Sequence, residues 1–322
     1  MEYEHWCNLS DADLASRDIA EVNLLAAQGL PGGTEFDIAA DVRKVDEWAN
    51  IVAAGQRRLW KRRERGDCSD LTDNQFRMLV MVTILQRDLG VQYNPLCMTG
   101  EYDARNASNN FIHGPLSGHG GTCASLPFLY VAIGRRIGFP LFVVPAKEHL
   151  FVRWEGDGER FNIEATSLGF EPRDDLHYRT SPKPLSDAEL KTCPTFLRNM
   201  TPREELACCL AERSNVLFDN LNIAAAVKAM YFANRLSSFY LGRWLVLLMA
   251  LEIVRRMGGM VNRLPWEELV QVCAPRPRTA DQQWAIAHAQ RELLRQVTIR
   301  HSPSTETQDE FFSHLDKEPN HV

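Results

Sequence analysis

The stretch from Cys123 to Ser167 constrains the fold more than any other part of the sequence, because one helical pattern is followed there by three strand-like runs. CASLPFLYVAIGRRIG has apolar residues at helical spacing and ends at Gly138 and Pro140. LFVVPA, HLFVRWEG and RFNIEATS are rich in Val, Phe and Ile, and the turn 156–158 separates the last two. The pattern predicts a buried central helix against a small antiparallel sheet.

Helical patterns flank this stretch on both sides. Capping boxes at Thr72/Gln75 and at Thr201/Glu204 mark two helix starts, the second with Pro202 at the first helical position. Helices are predicted near 18–28, 38–54, 72–89, 202–219, 221–235, 238–257 and 280–299. We therefore expect an α+β fold, with a helical lead-in over 1–90, a core over 91–190, a helical region over 200–300 and a polar, disordered tail over 301–322. Paired helices of this length resemble a tetratricopeptide-like array.

Residues 91–122 differ from both flanks, since they are rich in Gly, Asn, Ser and Pro and show no period. Long runs without regular structure inside a compact protein are often functional. This run leads directly into Cys123, so we expect it to form either a wall of a cleft or a lid over it.

Composition and charge exclude several classes of protein. Hydrophobic residues make up 45% of the 322 positions and charged residues 24%, as in folded proteins. A formal net charge of −6 provides no general attraction to nucleic acid or to an anionic membrane. The basic run at 57–65 is interpreted as the solvated face of a helix rather than as a patch for an anionic partner. The most apolar stretch, 244–253, is about half as long as a membrane span. We expect no nucleic-acid or membrane partner.

Cysteine usage predicts the redox compartment. The eight cysteines are scattered and form no CxxC pair, which argues against a secreted disulfide scaffold. The first residues, MEYEHWCNLSDAD, are acidic and polar, unlike a signal peptide. We expect a cytoplasmic protein with reduced thiols.

Cys123 follows Gly120-Gly121-Thr122 at the predicted start of a helix. Unpaired backbone N–H groups and the positive end of the helix dipole favour a thiolate at such a position. The same N–H groups can stabilise the oxyanion of a tetrahedral intermediate, and the glycines leave room for a substrate backbone. These features indicate a nucleophile, although packing in a core would also suit a cysteine on a helix.

A thiol nucleophile needs a base, and the base needs an acceptor that orients it. His149 stands at the start of the second predicted strand, and Glu164 stands on the third. A hairpin that turns at 156–158 would pair position 149 with 164 or 165. The spacing therefore predicts a Cys123–His149–Glu164 triad, with Glu148 as an alternative orienting acid.

These residues, in this order, resemble the core of the transglutaminase-like superfamily, whose members share the papain-like cysteine fold. That family carries G-x-C at a helix start, a Gly–apolar–Pro turn after the helix, a His that opens a strand, and an acid followed by x-Thr. The matching residues are Gly121-Thr122-Cys123, Gly138-Phe139-Pro140, His149 and Glu164-Ala165-Thr166. LGVQYNP at 89–95 and SLPFLYVAIGRRIGFP at 125–140 are most similar to the SirB1-like branch. The resemblance implies a hydrolase or acyltransferase that forms a thioester on Cys123 and acts on a protein or peptide without a cofactor or metal.

Two departures from the family pattern bear on activity. The usual acid is Asp, whereas this chain has Glu164, which is longer by one methylene. Members of the SirB1-like branch often lack the cysteine, whereas this chain retains Cys123. The second oxyanion donor is not fixed by the motif, and the candidates for it and for the cleft wall are Thr122, Asn94, Asn109, Asn110 and His119.

Two other functions compete with catalysis. In the first, the core is a silent scaffold whose C-terminal helices bind a protein partner, as tetratricopeptide-like arrays do. Cys97, His113, His119 and Cys123 could form a Cys2His2 zinc site, but the tight CxxC or Cx4C pair that is typical of structural zinc sites is missing. We expect no metal.

Overall fold

The computed structural model describes residues 2–31, 35–237 and 239. Its α-helices are α1 (Glu2–Trp6), α2 (Asp11–Ala15), α3 (Ile19–Ala27), α4 (Ile38–Arg63), α5 (Asp73–Thr83), α6 (Leu96–Thr99), α7 (His113–Leu116), α8 (Leu126–Arg136), α9 (Asp175–Thr180), α10 (Asp187–Thr192), α11 (Pro202–Asp219) and α12 (Ile223–Leu236). The strands are β1 (Leu141–Ala146), β2 (His149–Gly156) and β3 (Glu159–Ile163). The part of the chain that is described is therefore α+β, as predicted.

Side-chain caps fix where several helices begin. Both predicted capping boxes form, Thr72 with Gln75 before α5 and Thr201 with Glu204 before α11. Each satisfies two backbone N–H groups that a helix start leaves unpaired. A π-helical turn, Ile84–Asp88, continues α5. Helix α4 is continuous from Ile38 to Arg63, so the helix predicted near 38–54 and most of the helical basic run at 57–65 form a single element.

In the described residues the sheet is a meander in the order β1-β2-β3, with antiparallel neighbours. Asp157 and Gly158 join β2 to β3 with φ angles of 53° and 75°. Two left-handed residues make the tight turn whose twist suits a hairpin. Val152 pairs with Ile163 and Gly156 with Glu159, so β3 ends one residue before Glu164. The predicted hairpin is confirmed, but its third strand is shorter than the run RFNIEATS.

Helix α8 forms the centre of the molecule. Every residue from Leu126 to Gly134 is buried. The helix packs against α3 and α4 and against β1 and β2. Because α8 is apolar on all sides, it is held within the core rather than on its surface. The predicted central helix is thus confirmed, although its first regular turn begins at Leu126, after Cys123.

Helices α11 and α12 pack against each other, and α11 also packs against α3. A continuous hydrophobic core includes buried residues from Tyr3 to Leu236, and therefore joins parts of the predicted lead-in, core and helical region. The helices predicted at 238–257 and 280–299 and the tail at 301–322 lie outside the described residues.

The segment 91–122, for which no regular structure was predicted, contains α6, a 3-10 turn at Ala107–Asn109 and α7. Residues 107–116 are buried throughout. Asn side chains in this segment form hydrogen bonds with backbone groups that a helix or a sheet would otherwise pair. Such bonds are needed because buried polar backbone groups must have partners. Asn106, for example, caps the 3-10 turn through Ser108 N. This segment is an ordered wall of the molecule.

None of the helices described combines the length and the apolar composition that crossing a lipid bilayer requires.

Candidate active site

Cys123 lies in a turn that leads into α8 and is half-buried. Thr122 O accepts hydrogen bonds from the backbone N–H groups of Ser125 (3.2 Å) and Leu126 (2.9 Å). The Ser125 hydroxyl accepts from Thr122 N at 2.9 Å, and the Thr122 hydroxyl accepts from Ala124 N at 3.2 Å. The turn around Cys123 is therefore fixed by its own hydrogen bonds before the helix begins.

The backbone carbonyl of Asn109 anchors this turn from outside. It accepts hydrogen bonds from the hydroxyls of both Thr122 (2.8 Å) and Ser125 (3.1 Å). All three residues are buried, so these bonds contribute to stability without competition from water. Thr122, which was predicted to line the cleft, thus holds the position of the Cys123 backbone.

The glycines before Cys123 make room for the protein's own atoms. A Cβ at Gly120 would lie 3.0 Å from Asn94 Cα, and Gly120 has a φ of +87°. A Cβ at Gly121 would lie 2.7 Å from a Leu126 methyl group and 2.8 Å from Ser125 Oγ. The prediction that they leave space for a substrate backbone has no support here, because the surrounding volume is filled by the chain itself.

His149 is the first residue of β2 and lies close to Glu164. It follows the two-residue turn Lys147-Glu148, in which Glu148 has a φ of +57°. The His149 Nε2–H donates to Glu164 Oε2 at 2.8 Å, and the two side chains are only 9% and 11% exposed. Glu148 pairs with Lys183 and is exposed. The acid that orients the imidazole is therefore Glu164 rather than Glu148.

Glu164 is held at both carboxylate oxygens. Oε2 faces His149, and Oε1 accepts from the backbone N–H of Thr166 at 3.0 Å and from its hydroxyl at 2.6 Å. Because β3 ends at Ile163, the Glu164 side chain is not held to the alternating directions of strand residues, and its carboxylate can reach Thr166. The extra methylene of Glu is accommodated in this way, and the acid-x-Thr motif has a direct physical role.

Cys123 is the second group, after Glu164, that acts on the His149 imidazole. Since Nε2 is engaged by Glu164, the remaining ring nitrogen, Nδ1, is the one left to face the sulfur. Burial acts to lower the pKa of His149, but the influence of Cys123 and Glu164 outweighs it and raises this pKa to about 9. Burial acts to raise the pKa of Glu164, and the hydrogen bonds from His149 and Thr166 hold it below its usual value. The arrangement favours the charged imidazolium beside the Glu164 carboxylate.

One aromatic side chain lies beside the imidazole, and the sequence did not predict it. The ring of Tyr178, on α9, lies 6.2 Å from the His149 ring at an interplanar angle of 17°. It also stacks on Phe151 at 3.6 Å, and both rings are fully buried. Tyr178 packs with Val144 and Ala146 of β1 on the face of the sheet opposite α8. No periodicity or motif around 174–180 signalled this contact, because it joins elements that are distant in sequence.

The remaining predicted cleft residues form a polar network behind Cys123. Asn109 Oδ1 accepts from Asn94 Nδ2 at 2.7 Å and lies 3.0 Å from His119 Nε2. Asn109 Nδ2 donates to Asp103 O at 2.7 Å. Asn110 Oδ1 accepts from the Tyr102 hydroxyl at 3.1 Å. The structure therefore brings Asn94, Asn109 and His119 together, but directs these amides toward one another.

The residues of the alternative zinc site occupy separate environments. His113 is buried, stacks on Phe36 at 4.5 Å and lies 3.3 Å from Ser108 Oγ. Burial lowers its pKa to about 4, so it is neutral. His119 belongs to the network with Asn109. Among the described residues, no group of three or more His, Cys, Asp or Glu side chains is placed so that it could hold a metal ion.

Three comparisons with known proteins found no match to this chain. No protein-family model matches the chain. No curated protein shows a significant match to it, and no solved structure does so either. The function of this chain is therefore inferred from the residues of the site.

Proposed function

We propose that this protein carries out cysteine-dependent acyl chemistry of the transglutaminase-like type, with a thioester on Cys123 as its intermediate. The observation that carries the proposal is the imidazole of His149, which is hydrogen-bonded to Glu164 at 2.8 Å and whose pKa is raised by both Cys123 and Glu164. A nucleophile, its base and an acceptor that orients the base are the parts that this chemistry needs. The buried ring of Tyr178 lies nearly parallel to the imidazole, and Phe151 stacks on that tyrosine in turn.

The reaction begins when the Cys123 sulfur attacks the carbonyl carbon of a carboxamide or peptide. His149 takes the proton of the thiol, and its raised pKa, about 9, favours the imidazolium at neutral pH. As the tetrahedral intermediate collapses, the bond to the leaving amine breaks and His149 protonates that amine. Glu164 accepts from Nε2 throughout and stabilises the positive ring.

The second half of the reaction releases the acyl group. Water gives hydrolysis and an amine gives transfer, and in either case neutral His149 takes a proton from the attacking group. We favour hydrolysis of a protein or peptide, since bacterial-looking members of the superfamily that this chain resembles act more often as proteases or amidases than as cross-linkers. No cofactor is required by these steps.

The test is the rate of iodoacetamide alkylation at Cys123 against pH, followed by peptide mass spectrometry. Cys68, which is exposed, supplies the reference profile of an ordinary thiol in the same protein. At pH 6, Cys123 is expected to react at least about tenfold faster than Cys68, because the proposal has His149 take the proton of the Cys123 thiol. In His149→Ala the two profiles are expected to converge.

An inert Cys123, or the same profile with and without His149, would contradict the catalytic proposal. The core would then be a scaffold, and its helical C-terminal region would become the candidate site for a protein partner.

A further inference from the structure

Strand β2 presents three side chains in a row on the face of the sheet that α9 covers. His149, Phe151 and Arg153 stand at alternate positions of the strand, so they point to the same side. The Tyr178 ring lies 6.2 Å from the His149 ring and 3.6 Å from the Phe151 ring, at interplanar angles of 17° and 8°. The guanidinium carbon of Arg153 lies 5.6 Å from the centre of the Phe151 ring. The base and Arg153 therefore belong to one column of side chains that Tyr178 joins from α9.

Arg153 is buried, with 1% of its surface exposed, and its guanidinium group is hydrogen-bonded on several sides. Nε donates to Asn162 Oδ1 on β3 at 2.8 Å. Nη1 donates to Leu197 O at 3.0 Å and to Asn199 Oδ1 at 3.2 Å. Nη2 donates to Oδ1 of Asp175, the first residue of α9, at 2.6 Å. Because a buried cation is costly unless it is paired, these bonds fix β2, β3, α9 and the segment before α11 to one another.

Helix α9 depends on this anchor for its position on the sheet. It has six residues, too few to be stable without tertiary contacts, and Tyr178 is the one residue of α9 that is buried. Asp175 also accepts from Asn162 Nδ2 at 2.9 Å and from Arg160 Nη2 at 2.8 Å. Asp175 and Tyr178 stand three positions apart, which places them on the same side of the helix. The helix thus meets the sheet through the Asp175 carboxylate and the Tyr178 ring, and releasing the carboxylate is expected to displace the ring.

We propose that Arg153 is a positioning residue for the reaction, because through Asp175 it holds α9 where Tyr178 keeps the His149 imidazole bonded to Glu164. This inference deepens the proposed function and rests on it. Arg153 contacts neither the substrate nor the reacting atoms. Without the Tyr178 ring beside it, the imidazole gains room to turn away from Glu164, and a misplacement of about 1 Å in a catalytic group costs up to about a hundredfold in rate.

The experiment is a double-mutant cycle on the acylation rate of Cys123 in the full chain. Acylation by p-nitrophenyl acetate is followed by nitrophenolate release and by the acetyl mass on Cys123. Arg153→Met and Tyr178→Leu are each expected to slow acylation on the order of tenfold. The double variant is expected to stay within about twofold of Tyr178→Leu, because Arg153 acts through Tyr178.

Asp175→Ala breaks the same link from the side of α9, and it replaces Arg153→Met in the cycle if that variant does not fold. The Asp175 side chain is 35% exposed, and the change leaves Arg153 with its partners on β3 and before α11. Acylation in Asp175→Ala is expected to slow on the order of tenfold, as in Arg153→Met.

Arg135→Met is the matched control, because it removes a guanidinium group that is bonded to buried Glu205 at 3.0 and 2.6 Å. That pair joins α8 to α11 and lies outside the column. The variant is expected to unfold at a lower temperature than wild type and to keep the wild-type acylation rate. Thermal unfolding of every variant sets an assay temperature at which the protein is folded.

Wild-type acylation rates in both Arg153→Met and Asp175→Ala would overturn the inference and leave the proposed function standing. A loss of about a hundredfold in the double variant would also overturn it, since Arg153 would then act independently of Tyr178. So would equal slowing in Arg135→Met, since the loss of any buried ion pair would then be enough. If wild-type Cys123 is acylated no faster than Cys123 in His149→Ala, the proposed function fails and the inference with it.

Discussion

The two sides of the site are built in different ways. The hairpin side consists of β2, β3 and the residues 164–166, and it presents His149 and Glu164 through a tight turn and a short run of paired residues. The loop side is the segment 91–122, and it supports Cys123 through contacts between residues far apart in sequence, such as Asn94 with Asn109 and Tyr93 with Gly121. The hairpin side follows from local rules, whereas the loop side depends on a network that forms only in the folded chain.

The two sides of the site are therefore expected to respond differently to substitutions. A change on the hairpin side removes one chemical role and leaves the fold in place. A change on the loop side disturbs several partners at once, because each buried amide there serves more than one neighbour.

The largest expected effect is that of Glu164→Ala on acylation of Cys123 by p-nitrophenyl acetate. The imidazole loses its acceptor at Nε2 and the anion that favours its charged form, so the rate is expected to fall about a thousandfold. Glu164→Gln retains an acceptor without the charge and is expected to lose about tenfold.

Glu148→Ala is the matched control, because it removes the neighbouring carboxylate, which pairs with Lys183 on the surface. A loss in Glu148→Ala as large as that in Glu164→Ala would show that the sequence alternative, Glu148, orients the base.

The pH dependence of stability tests the ionic state of the hairpin side. The pKa of His149 is raised from about 6.5 in the unfolded chain to about 9, so its contribution is fully present below pH 6.5 and is lost as the pH rises through 9. The free energy of unfolding of wild type, relative to His149→Ala, is expected to fall by at most about 3 kcal/mol across that window. Urea unfolding at intervals between pH 6 and pH 10 measures it.

Cys123→Ala serves as the control for this pH dependence. It removes one of the two groups that raise the pKa of His149, so the fall is expected to become smaller and to occur at lower pH. On the acid side, the contribution of Glu164 is present above its ordinary pKa and is lost as the pH falls through its lowered value. A wild-type difference curve that is flat between pH 6.5 and 9 would rule out the imidazolium.

The smallest of these effects is expected for Asn109→Ala on the loop side. This change removes the oxygen that Asn94 and His119 share as a partner and also removes the donor to Asp103 O, at a cost of about 2 kcal/mol of unfolding free energy. Acylation of Cys123 is expected to fall with it, because the Asn109 backbone anchors the turn that carries the nucleophile.

Asn106→Ala is the control in the same segment. Asn106 caps the 3-10 turn through Ser108 N, and its loss is expected to cost about 1 kcal/mol. If Asn109→Ala is no more destabilising than Asn106→Ala and leaves acylation unchanged, the contrast between the two sides of the site disappears.

Much of the hairpin side was predictable from sequence. Gly156 to Gly158 marked the turn, the β-rich runs marked the strands, and the spacing brought Glu164 to His149. The register differs slightly, since β3 ends at Ile163 and Glu164 reaches His149 from beyond the last pair. The alternation of side chains along adjacent strands predicts which strands pair. It does not fix the residue at which a strand ends.

The sequence by itself determined the capped helix starts, the buried central helix, the hairpin and the order of Cys123, His149 and Glu164 along the chain. These depend on residues within a few positions of one another. Only the tertiary structure decided that Tyr178 lies beside the imidazole, that Tyr93 pairs with Gly121, and that the amides of Asn94 and Asn109 bind each other. A loop without hydrophobic periodicity gives no local indication of its hydrogen-bond partners. The partners of its buried polar groups are set by distant segments that come together only in the folded chain.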